Sequence, residues 1–592
     1  MQRLKPSIGA FFVTILTLIL VNAIENSEAS TSAVVNEERT YECRKRYIVC
    51  ICRQVFKYMT GRSWICGAGI ISALGYALWR IWRFTVNPRL DPCEPKRYTY
   101  WIPGLGNTLL MLRDPQRLVD DARRHFGDTR EPFTISALGY KFYFITHPKH
   151  VGEVYRNTNT LTHDIFLEDL MKQFKVSKRG RSLVFFRPDS QGQGLQLLSP
   201  NPKYSSLARL TVDMFREQMA PGDKLRRLGE ITKASIEPLT RFCTMVSPRY
   251  LLQEEEDYRD ISLLHWCEDT MLRTANQVFF GKSLHRVAPN IIEHFIKFDE
   301  LSYCAIFQYP PVLSRMLGMS KARDVLIEDI YRYFRLPLQE REDRNWFIDQ
   351  QERELLNLGF KSEDMARVIA MTFWVVNTNV YKMLFWMVCY LLQDEVLTQQ
   401  VANELRSCFD QHGNLNVEEL TQKGMTGMPF TTALWYEVLR LTNSSSSARF
   451  VTTDTIIGGL TMRAGNRLIV PYRQLHTNTE VFGQDPMQFD VMRWLRNDNL
   501  ERNPSYRPFG GGIWYCPGRH LAKQEIFMAL GYLLYRYDVE VAPVGTGIGK
   551  KADAAAGSRR SMPRMDEAKP GIGIVCPMAG DDLVLRLRKR DC

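Results

Sequence analysis

The chain has 592 residues, 45% of them hydrophobic and 11% aromatic, enough to build a large buried core and too apolar for a disordered or fibrous chain. Its formal charge of +12 comes without a basic stripe interleaved with stacking aromatics, so a membrane surface or an acidic redox protein is the expected partner and nucleic acid is not. Thirteen cysteines are scattered without paired spacing apart from Cys43, Cys50 and Cys52, which argues against a zinc site or a disulfide framework in the main body and fits a reducing compartment.

Two apolar stretches open the chain. Ile8 to Ile24 follows Arg3 and Lys5 and ends near Val21-Asn22-Ala23, so residues 1–24 read either as a cleaved signal peptide or as a first membrane segment. A linker over 25–63 follows. Residues 64–82 are long enough to span a bilayer, carry Gly67, Gly69 and Gly75, have Trp at both ends, and are flanked by Arg80, Arg83 and Arg89. They are expected to be a transmembrane anchor, with a buried soluble helix as the alternative, and the positive charge after them puts the remainder in the cytosol. Pro88, Pro92, Pro95 and Pro103 then predict a stiff, non-helical hinge over 83–107.

The body, 108–592, is mostly of helical periodicity from Asp114 to about Arg440, with a short strand-like piece at 141–146. A helix over 364–393 would run roughly 45 Å at 1.5 Å per residue and is interrupted by polar residues near Asn377, Thr378 and Asn379. Further strands are expected at 455–457, 467–471 and 583–587, and residues 545–573, rich in Gly, Ala, Ser and charge, read as an exposed loop. The fold class is therefore mainly α with small β-sheets, an α+β arrangement.

Three motifs follow one another toward the C-terminus. Glu437 and Arg440 share one face of the helix around Thr431 to Leu441. Downstream comes Phe482-Gly483 to Arg493-Trp494. Then Arg507-Pro-Phe509-Gly510-Gly511-Gly512-Ile-Trp514-Tyr-Cys516-Pro-Gly518-Arg519 leads into a helix-forming run. A lone cysteine between glycine-rich backbone and a helix start suits an anionic sulfur, because the helix N-terminus favours the thiolate.

The last segment matches Phe-x-x-Gly-x-x-x-Cys-x-Gly, and with the other two motifs in order the chain resembles the cytochrome P450 superfamily from about Pro92 onward; Trp101-Ile-Pro-x-x-Gly106 resembles the start of membrane-bound members. The resemblance implies the P450 fold behind an N-terminal membrane anchor and a haem b whose iron takes Cys516 as axial thiolate, the metal ligand. It implies that Phe509, Gly512 and Gly518 shape the cofactor loop, that Glu437, Arg440 and Arg493 form a structural triad, and that Arg449 takes a haem propionate.

Two departures stand out. Trp514 occupies the place where the family usually has Arg or His for a propionate, and no Trp-x-x-x-Arg pattern is evident around Leu197 to Met214. No acid lies between Thr372 and Lys382, where most family monooxygenases have an acid followed by Thr. Aligning Trp374 and Phe385-Trp386 gives a spacing similar to the branch of prostacyclin synthase and the sterol 7α- and 12α-hydroxylases. There Asn379 falls over the haem and Thr378 in the acid's place, while Lys382 replaces a proline common in that branch. These two, Thr378 and Asn379, are the candidate catalytic residues.

The implied function is haem-thiolate monooxygenation of a hydrophobic sterol-, lipid- or terpenoid-like substrate at the endoplasmic reticulum membrane. The catalytic domain would face the cytosol, and electrons would come from NADPH through NADPH-cytochrome P450 reductase. Reductase-independent isomerisation or dehydration of a lipid peroxide, or haem binding without catalysis, are the alternatives that the departures leave open.

Overall fold

A computed structural model describes residues 64–189, 195–422, 424–497, 499–543, 562–569 and 571–590. The segments expected over 1–24 and 25–63, with Cys43, Cys50 and Cys52, lie outside the described residues. The chain divides into two units at Thr99/Tyr100, inside the expected hinge.

In the first unit a helix runs over Trp64–Ile81, and Ile70, Leu74, Leu78 and Ile81 on it are exposed. The hinge is not non-helical from residue 83, as expected. A wide turn over Trp82–Val86 passes into a helical turn over Asn87–Leu90, because Pro88 falls in its first turn, where a missing N–H costs no internal hydrogen bond.

The second unit is built on helices. Those that position the site are α1 (Leu207–Met219), α2 (Leu263–Phe280), α3 (Ile291–Asp299), α4 (Ser362–Asn377), α5 (Val380–Leu391), α6 (Pro429–Thr442) and α7 (Arg519–Arg536). Helix α2 starts where Ser262 accepts the His265 N–H, stops at Gly281 with φ 74°, and is buried on nearly every face. The long central helix expected over 364–393 is two consecutive pieces, α4 and α5, that part at Thr378-Asn379. Within 362–391 there is length and hydropathy enough to cross a membrane, but this stretch is mostly buried and forms the core of the body.

Strands β1 (Phe133–Ala137), β2 (Tyr140–Phe144), β3 (Leu161–Thr162), β6 (Ser446–Val451) and β7 (Arg467–Pro471) pair in the order β1-β2-β7-β6-β3, with only β2 and β7 parallel. A second, antiparallel sheet runs β8-β9-β5-β4, from Tyr537–Val541, Val584–Lys589, Tyr258–Ser262 and Leu251–Glu254. A hairpin joins 455–457 to 460–462 through Gly458 and Gly459, both left-handed. One apolar core runs through the helices, and a smaller one, including Tyr143, Val154, Leu468 and Leu475, lies under the first sheet.

The C-terminal end of the loop expected over 545–573 is not exposed. Gly573 and Ile574 are drawn in against the central helix, Ile574 and Val575 are buried, and the Val575 N–H bonds to the Thr442 carbonyl. Apolar side chains following the polar run account for this.

Candidate functional site

Cys516 lies in the turn before α7. Its N–H donates to the Phe509 carbonyl at 3.0 Å, which closes the loop, and Phe509 stacks on Trp435. Gly510 and Gly512 take left-handed φ of 76° and 64°, conformations that glycine adopts freely. Gly511 and Gly512 lie close to Tyr155: a Cβ at Gly512 would stand 3.3 Å from that side chain and one at Gly511 nearer still. At Gly518 a Cβ would meet Met219 Sδ at 3.6 Å and the Cys516 sulfur at 3.9 Å, so this glycine sits directly beside the thiol. Burial pushes the Cys516 thiol up, while the Gly518 and Arg519 N–H groups aimed at the sulfur and the Arg519 charge pull it down. The loop thus carries donors for a thiolate, while burial works against the charge and leaves it to gain from a cation at the sulfur.

The acid of α6 anchors the segment that leads to this loop. Arg440 grips Glu437 with two hydrogen bonds of 2.7 and 2.9 Å, both residues being fully buried. Arg493 stands off at 3.6 Å from Glu437, an ion pair without a hydrogen bond at Nε, and its guanidinium also donates to the Phe482 carbonyl. Two partners were not legible in the motif: the Trp494 indole N–H at 2.8 Å and the Asp490 N–H at 3.1 Å both reach Glu437. Arg440 further donates to the His476 carbonyl at 2.9 Å, and His476 Nε2 accepts the Arg507 N–H at 3.0 Å, which ties the triad to the first residue of the cysteine segment. Burial, then the Arg440 charge, pull His476 down to about 3, so the ring is a neutral acceptor.

Arg449 projects from β6 and is buried. Its guanidinium donates to Ser447 Oγ and the Ala448 carbonyl, each at 2.8 Å, and lies 3.4 Å from His163 Nδ1; among the described residues no carboxylate pairs with it. The His163 ring packs on Trp514, centroids 4.6 Å apart, and burial followed by the Arg449 charge pull it down to about 4. A buried guanidinium lacking an anion is costly, so this corner, facing the cysteine loop, fits an acidic group of a bound cofactor. On the other side of the loop, Arg209 and Arg216 of α1 both donate to the Ile513 carbonyl. No sequence signal separates these two from ordinary helix-surface cations.

Thr378 and Asn379 occupy the break between α4 and α5 but point to different partners. The Asn379 amide oxygen accepts the Ile574 N–H at 2.8 Å, and a Cβ on Gly573 would come within 2.1 Å of it. The Thr378 hydroxyl donates to Asp299 of α3 at 2.5 Å. An acid therefore does stand beside Thr378, though another helix brings it. The end of α6 links both faces of the site: Asn443 donates to the Pro508 carbonyl at 2.7 Å, and the Ser444 N–H donates to the Gly573 carbonyl at 3.0 Å.

Residues 95–553 match the family described as Cytochrome P450. Among curated proteins the chain is 23% identical over 462 residues to cytochrome P450 monooxygenase poxD of Penicillium oxalicum, covering 76% of this chain and 88% of that protein. It is 22% identical over 503 residues to cytochrome P450 7B1 of Mus musculus, covering 79% and 89%. To prostacyclin synthase of Rattus norvegicus it is 25% identical over 271 residues, covering 43% and 51%. The last two fall in the branch that the Trp374 to Trp386 spacing resembles.

Proposed function

The chain belongs to the cytochrome P450 family of haem-thiolate oxidoreductases, and we propose that it hydroxylates a hydrophobic sterol-, lipid- or terpenoid-like molecule, using dioxygen and electrons passed from NADPH by NADPH-cytochrome P450 reductase. The observation that carries this reading is Cys516 at the head of α7, with the Gly518 and Arg519 amides on its sulfur and the orphan Arg449 nearby. Haem b bound there supplies the iron chemistry, in which a thiolate ligand favours oxygen–oxygen cleavage.

The chain's own residues do the rest. Cys516 holds the iron; Phe509, Gly512 and Gly518 give the loop its shape, and Arg449 takes a carboxylate that Trp514 cannot serve. Glu437, Arg440 and Arg493 fix the segment leading to the loop. Thr378 and Asn379, at the break between α4 and α5, would hold protons and position dioxygen at such a haem. A position on the cytosolic side of the endoplasmic reticulum membrane, behind an anchor at 64–82, is supported by the exposed apolar residues of Trp64–Ile81. On the body, Trp101, Leu109, Val312 and Met316 are exposed, and Tyr309 OH, donating to the Leu112 carbonyl, ties these two segments together.

The test is the reduced carbon monoxide difference spectrum of the purified chain. The red-shifted band of thiolate haem is expected in wild type and absent in Cys516→Ala; a wild-type spectrum without it refutes the assignment. Rearrangement of a lipid peroxide without reductase is the second reading. It is favoured by the absence of an acid between Thr372 and Lys382 and by the engagement of the Asn379 oxygen with Ile574. Turnover that needs NADPH and oxygen supports hydroxylation, whereas turnover of a hydroperoxide alone supports rearrangement.

A further inference from the structure

Four side chains on one face of the broken central helix converge on a single carboxylate. Trp374 Nε1 at 2.9 Å and Thr378 Oγ1 at 2.5 Å donate to one oxygen of Asp299. Tyr381 OH at 2.9 Å donates to the other oxygen, and Lys382 Nζ, 2.7 Å away, pairs with it. Lys382 also donates to Thr378 Oγ1 at 3.2 Å. Asp299, Thr378, Tyr381 and Lys382 are all buried.

A buried ion pair of this kind is weak support for stability, since apolar replacements of similar volume often serve as well. What it builds is a chain of exchangeable protons, ammonium to hydroxyl to carboxylate, that runs from Lys382 through Thr378 to Asp299, at the break where Asn379 follows in sequence. Burial works against the charge on Lys382, but Asp299 and then Cys576 more than offset it and push the ammonium above its ordinary value, so that end of the chain stays charged. Helix α4 contributes no acid at this break; α3 does.

We propose that Asp299 is the acid of this site, a positioning residue that acts through the Thr378 hydroxyl to keep protons available where dioxygen is activated. The inference rests on the haem-thiolate reading. Its consequence appears without substrate. With protons in place, one dioxygen, two NADPH and two protons give two waters and two NADP+. Without them, one dioxygen, one NADPH and one proton give one hydrogen peroxide and one NADP+.

The experiment uses the full chain with NADPH-cytochrome P450 reductase and no added substrate, and measures peroxide released per NADPH consumed. Asp299→Asn, Asp299→Asn with Lys382→Met, and Thr378→Val are each expected to lower the water-forming share about tenfold while keeping the red-shifted carbon monoxide band. In each, the infrared stretch of bound carbon monoxide, which reports a nearby proton donor, is expected to shift. The double variant removes both charges, so recovery of the wild-type share there would make the pair purely structural and overturn the inference. An unchanged share or an unshifted stretch in the variants that load haem also overturns it. Thr378→Val carries the test if both Asp299 variants fail to fold. A wild type that releases one peroxide per NADPH overturns it too, whereas a wild type without the band removes the haem-thiolate reading and this inference with it.

Discussion

Glu437 accepts from two nitrogens of Arg440, from Trp494 and from the Asp490 amide, with Arg493 close by. Glu437→Ala strands a fully buried guanidinium and should cost about 3–5 kcal/mol. The expected outcome is a chain that melts well below wild type and carries little haem, read by thermal unfolding and by the carbon monoxide band; an unchanged melting temperature refutes it. At this scale the sequence was legible where spacing is local. Glu437 and Arg440 lie one helical turn apart, and Cys516 sits in a glycine-marked loop. Asp299 was not legible, although the signs existed: it falls four residues after Phe295 on an apolar face, and Lys382 is a lone cation in the run Val380–Leu391. Two buried opposite charges without local partners imply each other, but only the packing of α3 on the central helix brings them together. Trp494 and His163 escaped for the same reason, since an indole or imidazole partner has no sequence spacing of its own.

Among the elements, the central helix and the segment after 562 depend on each other. Gly573 is needed because Asn379 fills the space a Cβ would take. Gly573→Ala should push the Asn379 amide off the Ile574 N–H and destabilise the chain by about 1–3 kcal/mol. Adding Asn379→Ala should return much of that loss, so a double-mutant cycle in thermal or denaturant unfolding gives a non-zero coupling; strict additivity refutes the contact. The break itself was foreseen from Asn377 to Asn379, and so were the strands at 467–471 and near 583–587, because polar interruptions and alternation are local patterns. Read as exposed, the end of the 545–573 loop was misjudged: a polar, glycine-rich composition describes most of that stretch and hides the apolar residues that close it. The helical turn at Asn87–Leu90 was missed because a proline one position into a helix looks the same in sequence as a proline that stops one.

For the molecule as a whole, three shielded histidines, one buried and two part-buried, set a pH limit. Burial, with a nearby arginine in each case, pulls His163 and His285 to about 4 and His476 to about 3, below the ordinary value of 6.5. The unfolded chain therefore takes these protons first, so their contribution to stability is complete above pH about 6.5 and is lost as pH falls toward 4 and then 3. Denaturant midpoints should drop steadily from pH 7 to 4.5, with proton uptake on unfolding; a flat profile over that range refutes it. Helical content and the small sheets could be read ahead from periodicity, but the antiparallel sheet that joins 251–262 to 537–541 and 584–589 depends on contacts hundreds of residues apart. The last turn of α6 has a wider consequence. Because Asn443 grips the cysteine segment at Pro508 and Ser444 grips the Gly573 segment that meets Asn379, one short stretch works as a shared hinge pin. Any rocking of α6 is therefore felt at the cysteine loop and at the break in the central helix together.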